Sequence, residues 1–223
     1  MVKGGIIITE KFEQDFEELR KHVIGMGQLA RFMLDNSVKA LKNQDVELAN
    51  KVLARKEEIM KMDSDIEEET LRILLLYQPM ARDLRTIATI FKMITYLARV
   101  GRYGKDIATL AIEMSAQPHV KKLVSIPHIA DIVCGMIDDA LEAFRTGELG
   151  TLEDFGERDD EADEIRYSIF RECLSYMMED PRTITRCAHY IMIARYLERC
   201  GDHACKMAEK IHYMITGERV EIR

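Results

Sequence analysis

The spacing of apolar residues most restricts what this chain can fold into, because it steps by three or four residues over very long stretches. In the N-terminal region one such series consists of Phe12, Phe16, Leu19, Val23, Met26, Ala30, Met33, Ser37 and Ala40. A step of this size places every member on one face of an α-helix. The chain has only 4 prolines and 12 glycines, so little interrupts this pattern, and the sequence predicts long helices and no strand.

Turn and cap signals divide the pattern into six long helices. Their predicted ranges are about 9–42, with the start near Thr9 or Glu10, 46–77, 82–114, 128–145, 151–179 and 181–216. Pro127 is expected at the first position of the fourth helix, and Thr151 with Asp154 is a weak capping box for the fifth. Asp180 and Pro181 are expected to cap and open the sixth helix, and Gly217 to end it.

An internal repeat relates the two halves of the chain. The segment Tyr96–Arg102 reads YLARVGR, and Tyr196–Asp202, one hundred residues later, reads YLERCGD. Both copies fall in the third helix of a set of three, and both glycines lie on a buried stripe where a neighbouring helix can approach closely. We therefore predict an all-α protein of two tandem homologous three-helix bundles, residues 1–117 and 118–223, joined by a linker at about 117–127.

The charge and the cysteine content restrict the classes of protein to which this chain can belong. The net charge is −7 and no sustained run of Lys or Arg occurs, which argues against a nucleic-acid-binding protein. The five cysteines form no CxxC pair, which is typical of reduced thiols in a cytoplasmic protein. We find no signal peptide and no apolar run approaching the roughly 20 residues of a membrane span.

Four carboxylates in the second half form a candidate metal site. Glu198 and Asp202 are four residues apart and share one helix face. On the preceding helix, Asp159 interrupts an apolar seam and Asp163 follows it by four. If these antiparallel helices place the four together, the like charges need a cation, and oxygen donors suit Mg, Mn or Fe.

The alternative for the same residues is a solvated acidic face with local ion pairs. Arg195 and Arg199 are close enough in sequence to pair with Glu198, and Arg158 and Arg166 with Asp159 and Asp163. The first half carries no such acids, since Ala98, Arg102, Lys56 and Met60 stand at the corresponding positions. The first bundle is thus predicted to have lost the metal motif.

Other chemistry is weakly supported. A di-iron bundle needs two ExxH motifs, and this chain has one, Glu209–His212. His203 follows Asp202 as either a ligand or a structural residue. Walker, GxSxG and HExxH motifs and nucleophile–base pairs are absent from the sequence, so we expect no enzyme. A carboxylate–metal oxidase or phosphatase is the weakest alternative.

Two segments resemble the PhoU family of phosphate-transport regulators. Arg199–Ala204, preceded by Glu198, is similar to the family's ERxGDxA signature, and Gln78–Arg85 to its QPxAxDLR element, just before the third helix. The resemblance carries the family's metal motif onto Glu198 and Asp202, with Asp159 and Asp163 as acidic partners. Arg82, Asp83 and Arg85 match the DLR element, for which we favour a structural role in capping and inter-helix ion pairs.

The resemblance also implies a regulatory function. PhoU-like proteins bind a metal ion or a multinuclear cluster, with iron first by resemblance and Mg, Mn, Zn or Ni as alternatives. They restrain phosphate-starvation signalling through a phosphate-specific ABC transporter and a sensor histidine kinase, commonly as homodimers, and reach the membrane only through partners. The alternative is a metal-free helical scaffold that regulates another transporter or channel.

Overall fold

The computed structural model describes the backbone of residues 3–222 and the side chains of residues 10–222, and all regular structure in this part is helical. The α-helices are α1 (Lys3–Asn43), α2 (Val46–Leu53), α3 (Lys56–Tyr77), α4 (Ala81–Met114), α5 (Ser125–Thr146), α6 (Phe155–Glu179) and α7 (Ile184–Thr216). Short 3-10 turns at Gly150–Leu152 and Pro181–Thr183 precede α6 and α7. Among the described residues, the helices are too short or too polar to cross a membrane.

The predicted second helix is interrupted once. It forms α2 and α3, because the amide of Arg55 donates to the carbonyl of Val52 at 3.0 Å, three residues back rather than four. The backbone stays right-handed at Ala54 and Arg55, so the pair is one helical rod with a tightened turn. The all-α prediction with six long helical rods is therefore confirmed, and the prediction of an unbroken 46–77 helix is wrong.

Helix starts differ most from the sequence-based expectations. The first helix begins at Lys3 rather than near Thr9, and the fourth at Ser125, which leaves Pro127 in its first turn, where a missing N–H costs no hydrogen bond. The capping-box prediction for the fifth helix is wrong, since the Thr151 hydroxyl donates to the carbonyl of Asp139 instead. Asp180 caps as expected, but it caps the 3-10 turn before α7.

The two sets of three rods repeat one burial pattern. In α1, α3, α5 and α6 equivalent buried positions are 103 residues apart, as with Ile66 and Ile169, whereas in α4 and α7 they are 100 apart, as with Leu97 and Leu197. Helix α1 packs on α5 and α4 on α7, so the two bundles share one continuous core. The tandem repeat inferred from the sequence is thus visible in the packing.

The arginines of the QPxAxDLR segment lie at the ends of other helices. Gly147 and Gly217 end α5 and α7 with positive φ angles of 76° and 81°. The guanidinium of Arg82 lies against Gly147 and that of Arg85 against Gly217, each 3.7 Å from the position of an added Cβ. Arg85 also donates to the carbonyl of Met214 at 3.4 Å. Cations at helix C-termini are stabilising, which fits the structural role predicted for this segment.

Candidate metal centre

The close approach of α6 and α7 is set by a glycine. A Cβ built on Gly201 would lie 3.0 Å from Oδ1 of Asp159 and 3.6 Å from Cγ2 of Val133. Asp159 is therefore in contact with the backbone of α7, between the turns that carry Glu198 and Asp202. The structure thus brings Asp159 of α6 against the segment of α7 that carries Glu198 and Asp202.

Glu198 is the most buried acid of the group. Its side chain is only 10% exposed, and Oε1 accepts a hydrogen bond from Arg195. Oε2 is buried and has no hydrogen-bond partner within the described residues. Burial first, and then the charge of Asp202, raises the pKa of Glu198 above its ordinary value. A buried carboxylate oxygen without a donor is suited to a cation.

Asp159 lies in a similar environment. It is partly buried, and it forms no ion pair within the described part of the chain. Burial, together with the charges of Asp202 and Asp163, raises the pKa of Asp159 to about 6. The carboxylates of Asp202 and Asp163 are thus close enough to Asp159 to disfavour its negative charge.

Asp202 and Asp163 form the exposed side of the group. Asp202 accepts from Arg199 at 3.3 Å and Asp163 from Arg166 at 3.5 Å. These are local ion pairs of the kind the alternative interpretation expected, and pairs this exposed contribute little stability.

The expected pairing of Arg158 with Asp159 is wrong. Arg158 turns toward α5 and the start of its own helix, where it donates to Asp139 at 2.7 Å and to Asp154 at 2.5 Å. Asp159 instead lies near the thiol of Cys205, which donates to the carbonyl of Phe155 at 3.9 Å and lowers the pKa of Asp159. The sequence analysis missed Cys205, although its position four residues after Gly201 places it on the same face of α7.

The four carboxylates form a loose cluster rather than a closed shell of ligands. In residues 10–222, no three His, Cys, Asp or Glu side chains stand in an arrangement that could hold a metal ion as they are. The donor set nevertheless fits a cation, because among the described residues Glu198 offers a buried oxygen without a donor and Asp159 a carboxylate without a counter-ion. Metal binding by Glu198, Asp202, Asp159 and Asp163 stays a prediction.

The remaining sequence candidates have structural contacts. Glu209 accepts from Lys206 and from the amide of Ile222, while His212 lies near the carbonyl of Glu218, so the ExxH pair does not share a site. His203 is buried and stacks on Tyr96, and burial lowers its pKa to about 4. The five cysteines are buried free thiols.

The pKa of Asp159 predicts how stability depends on pH. Because the folded chain raises this pKa from 3.8 to about 6, it favours the protonated form, and metal-free stability should fall as pH rises through this interval. The full shift corresponds to about 3 kcal/mol, which partial exposure reduces to about 1 kcal/mol. Asp159→Asn should therefore stabilise the chelated protein by about 1 kcal/mol at pH 7.5 and hardly at all at pH 4.

Urea unfolding of the chelated protein between pH 4 and 8 measures this effect. The matched control is Asp160→Asn, which removes the same charge from an exposed neighbour on α6. Because the charge of Asp160 is the smallest of the causes that raise the pKa of Asp159, this variant should give a much smaller pH-dependent gain. A constant difference between Asp159→Asn and the unaltered protein across this range would contradict the expectation.

Comparison with known proteins identifies the family of this chain. The family model described as the PhoU domain matches twice, at residues 23–111 and 126–211. The predicted boundary after residue 117 lies between these matches. Phosphate-specific transport system accessory protein PhoU homologs from Rhizobium meliloti and Aquifex aeolicus are each 36% identical over 211 residues. The aligned regions cover 94% and 95% of this chain and 89% and 96% of the relatives.

Solved structures agree with these matches. The crystal structure of PhoU from Pseudomonas aeruginosa has a TM-score of 0.89 at 35% identity, covering 93% of this chain and 100% of that one. The phosphate transport system regulatory protein PhoU from Streptococcus pneumoniae has a TM-score of 0.85 at 25% identity, covering 94% and 99%. The similarity therefore extends through both bundles.

Proposed function

This chain belongs to the PhoU family, and from that premise we propose that it is a regulatory accessory protein of a phosphate-specific transport system. The observation that carries the proposal is the similarity over both bundles to accessory proteins of that system. PhoU proteins are accessory proteins, and this chain is not an enzyme. Its action would be to restrain phosphate-starvation signalling when phosphate is plentiful.

Repeated apolar surface supports the role of an adaptor. The two bundles expose large apolar side chains at equivalent positions of their second and third rods; the pairs are Leu71 with Leu174, Leu75 with Met178, and Leu84 with Ile184. Leu75 is 76% exposed and Met178 85%. Exposed apolar groups that recur at matching positions favour binding to other proteins. The exposed apolar residues of each bundle form one face, and we assign these two faces to the cytoplasmic parts of the transporter and to a sensor histidine kinase. We propose a homodimer as the working assembly.

The carboxylate cluster adds a metal to this adaptor. Glu198 and Asp202 from α7, with Asp159 and Asp163 from α6, would hold the ion or cluster, with iron as the first candidate and Mg, Mn, Zn or Ni as alternatives. When bound, a metal ion would supply positive charge to these acidic residues. The chain's own residues position the donors, since Gly201 admits Asp159 against α7 and Arg195 orients Glu198.

The regulatory function can be tested by complementation of a bacterial host that lacks its own PhoU protein. Expression of this chain should restore repression of a phosphate-starvation reporter in phosphate-rich medium. Leu75→Asp with Met178→Asp should lose that repression by at least about tenfold, because a charge at the centre of a contact must be desolvated. The control is Val124→Asp, a side chain 61% exposed outside both faces, which should repress normally.

Two outcomes would contradict the proposal. One is a reporter that stays fully active although the chain accumulates in folded form. The other is normal repression by the Leu75 and Met178 double variant, which would remove the role given to the repeated apolar faces.

A further inference from the structure

The first bundle contains a cavity that the metal proposal does not use. It opens between α3 and α4 and has a volume of about 370 Å³. Its floor is apolar and includes the buried residues Met33, Ile59 and Gly101. Pockets for small molecules have volumes of roughly 300–1,000 Å³ and mostly apolar linings with a few polar groups. The size and floor are therefore those of a site for a compact organic molecule.

The cavity occupies the place that corresponds to the carboxylate cluster. Lys56 and Met60 lie 103 residues before Asp159 and Asp163, the spacing that the burial pattern gives for these rods. Ala98 and Arg102 lie 100 residues before the other two acids. All four line the cavity. The two bundles thus carry opposite charge at one equivalent position of the fold.

The cations around this cavity are incompletely neutralised. Arg102 is exposed and makes no hydrogen bond or ion pair within residues 10–222. Within the described side chains, the ion pair of Lys56 is with the adjacent Glu57, at 3.4 Å between exposed side chains. Lys105 pairs with Asp106 at 2.9 Å. These contacts leave Arg102 and Lys56 able to bind an anion.

Among the described side chains, one further acid at the cavity forms no ion pair with these cations. Asp63 lines the cavity, and burial together with the charge of Glu67 raises its pKa. Within the described residues it forms no ion pair. Asp63 therefore leaves the guanidinium of Arg102 without an ion-pair partner in the described part of the chain.

We propose that this cavity binds a small organic phosphate. Arg102 and Lys56 contact the phosphate, since a guanidinium offers paired donors to phosphate oxygens and an ammonium adds a compact positive charge. The floor formed by Ile59 and its neighbours covers the organic part. Inorganic phosphate would contact Arg102 and Lys56 but would leave the apolar floor of the cavity uncovered. The site is independent of the metal centre proposed for the second bundle.

Titration calorimetry of the full chain at low salt tests the site, with AMP, UMP and ribose 5-phosphate as probes and with adenosine and inorganic phosphate as the two partial ligands. At least one organic phosphate should bind about tenfold or more tightly than either partial ligand. Arg102→Glu should weaken that binding by at least about tenfold. The inference is overturned if no organic phosphate binds, if inorganic phosphate binds equally well, or if Arg102→Glu binds like the unaltered protein.

Two further variants separate charge from shape. Arg99→Glu makes the same charge change on α4 outside the cavity and should retain binding; an equal loss there would assign the effect to general charge and refute the site. Ala98→Phe fills the cavity without changing charge and should lose the organic phosphate. Circular dichroism checks that each variant is folded. The metal content of the second bundle is measured on the same samples, so failure here is distinguishable from failure of the proposed function.

Discussion

Replacing Glu198 by glutamine and Asp159 by asparagine is expected to abolish metal binding by the second bundle. Each change keeps the size of the side chain and removes one anionic donor, so both helices lose a charged ligand. Neutral amide oxygens do not balance a multivalent cation among the remaining acids. Since altering even the outer partners of metal ligands commonly costs 10–100-fold in affinity, we expect a loss of more than about 100-fold.

Elemental analysis of protein purified without chelator or affinity nickel measures this loss, and titration with Fe(II), Mn²⁺ and Mg²⁺ identifies the preferred ion. The matched control is Asp160→Asn with Glu161→Gln, which removes two charges from exposed positions of α6 and should retain the metal. Equal metal content in both double variants and the unaltered protein would eliminate the site. The metal-free scaffold would then be the better description of this protein.

The fold could be predicted from the sequence because the spacing of apolar residues is regular along the helices. The apolar spacing of α4 and α7 continues through more than thirty residues each, and the repeated YLxRxG segment fixes their equivalence. Helix ends were predicted less well, because they depend on single hydrogen bonds. The Thr151 hydroxyl can accept from a backbone amide as an N-cap or donate to a carbonyl, and here it donates to that of Asp139. The three-residue turn at Arg55 has no distinctive sequence.

The candidate metal centre likewise has features that the sequence predicted and features that it did not. That Asp159 would face α7 followed from its position on an apolar seam, which is a property of the backbone. The partner of Arg158 did not follow, because a long side chain selects among several acids within reach, and here it selects Asp139 and Asp154. The bond from the thiol of Cys205 to the carbonyl of Phe155, which places the thiol near Asp159, depends on the register of α6 against α7, and the sequence leaves that register open.

The glycines show a further limit of what could be predicted from the sequence. The repeat drew attention to Gly101 and Gly201, but the tightest backbone approach is at Gly104. A Cβ built there would lie 2.8 Å from the carbonyl carbon of Met33 and 2.9 Å from the amide nitrogen of Leu34. Helix α1 therefore crosses α4 nearly in backbone contact. The second bundle has Ala204 at the equivalent position, so the repeat gave no indication of this contact.

Gly104→Ala is accordingly expected to destabilise the protein strongly. The added methyl group would collide with main-chain atoms of α1, which cannot rotate away as a side chain can, so the helices must separate along their whole contact. Overpacking of this kind costs typically 1–3 kcal/mol, and a backbone collision places this variant near about 3 kcal/mol. Urea unfolding followed by circular dichroism measures the change in the free energy of unfolding.

Gly25→Ala is the matched control, because it adds the same methyl group within α1. The nearest atom to the new Cβ is Cε of Met62 at 3.7 Å, an ordinary contact. Alanine is favoured over glycine in a helix by about 1 kcal/mol, so this variant should be somewhat more stable than the unaltered protein. Equal stability of the two variants would show that α1 and α4 are not held at the distance described here. The first bundle would then be loose enough for its cavity to change shape.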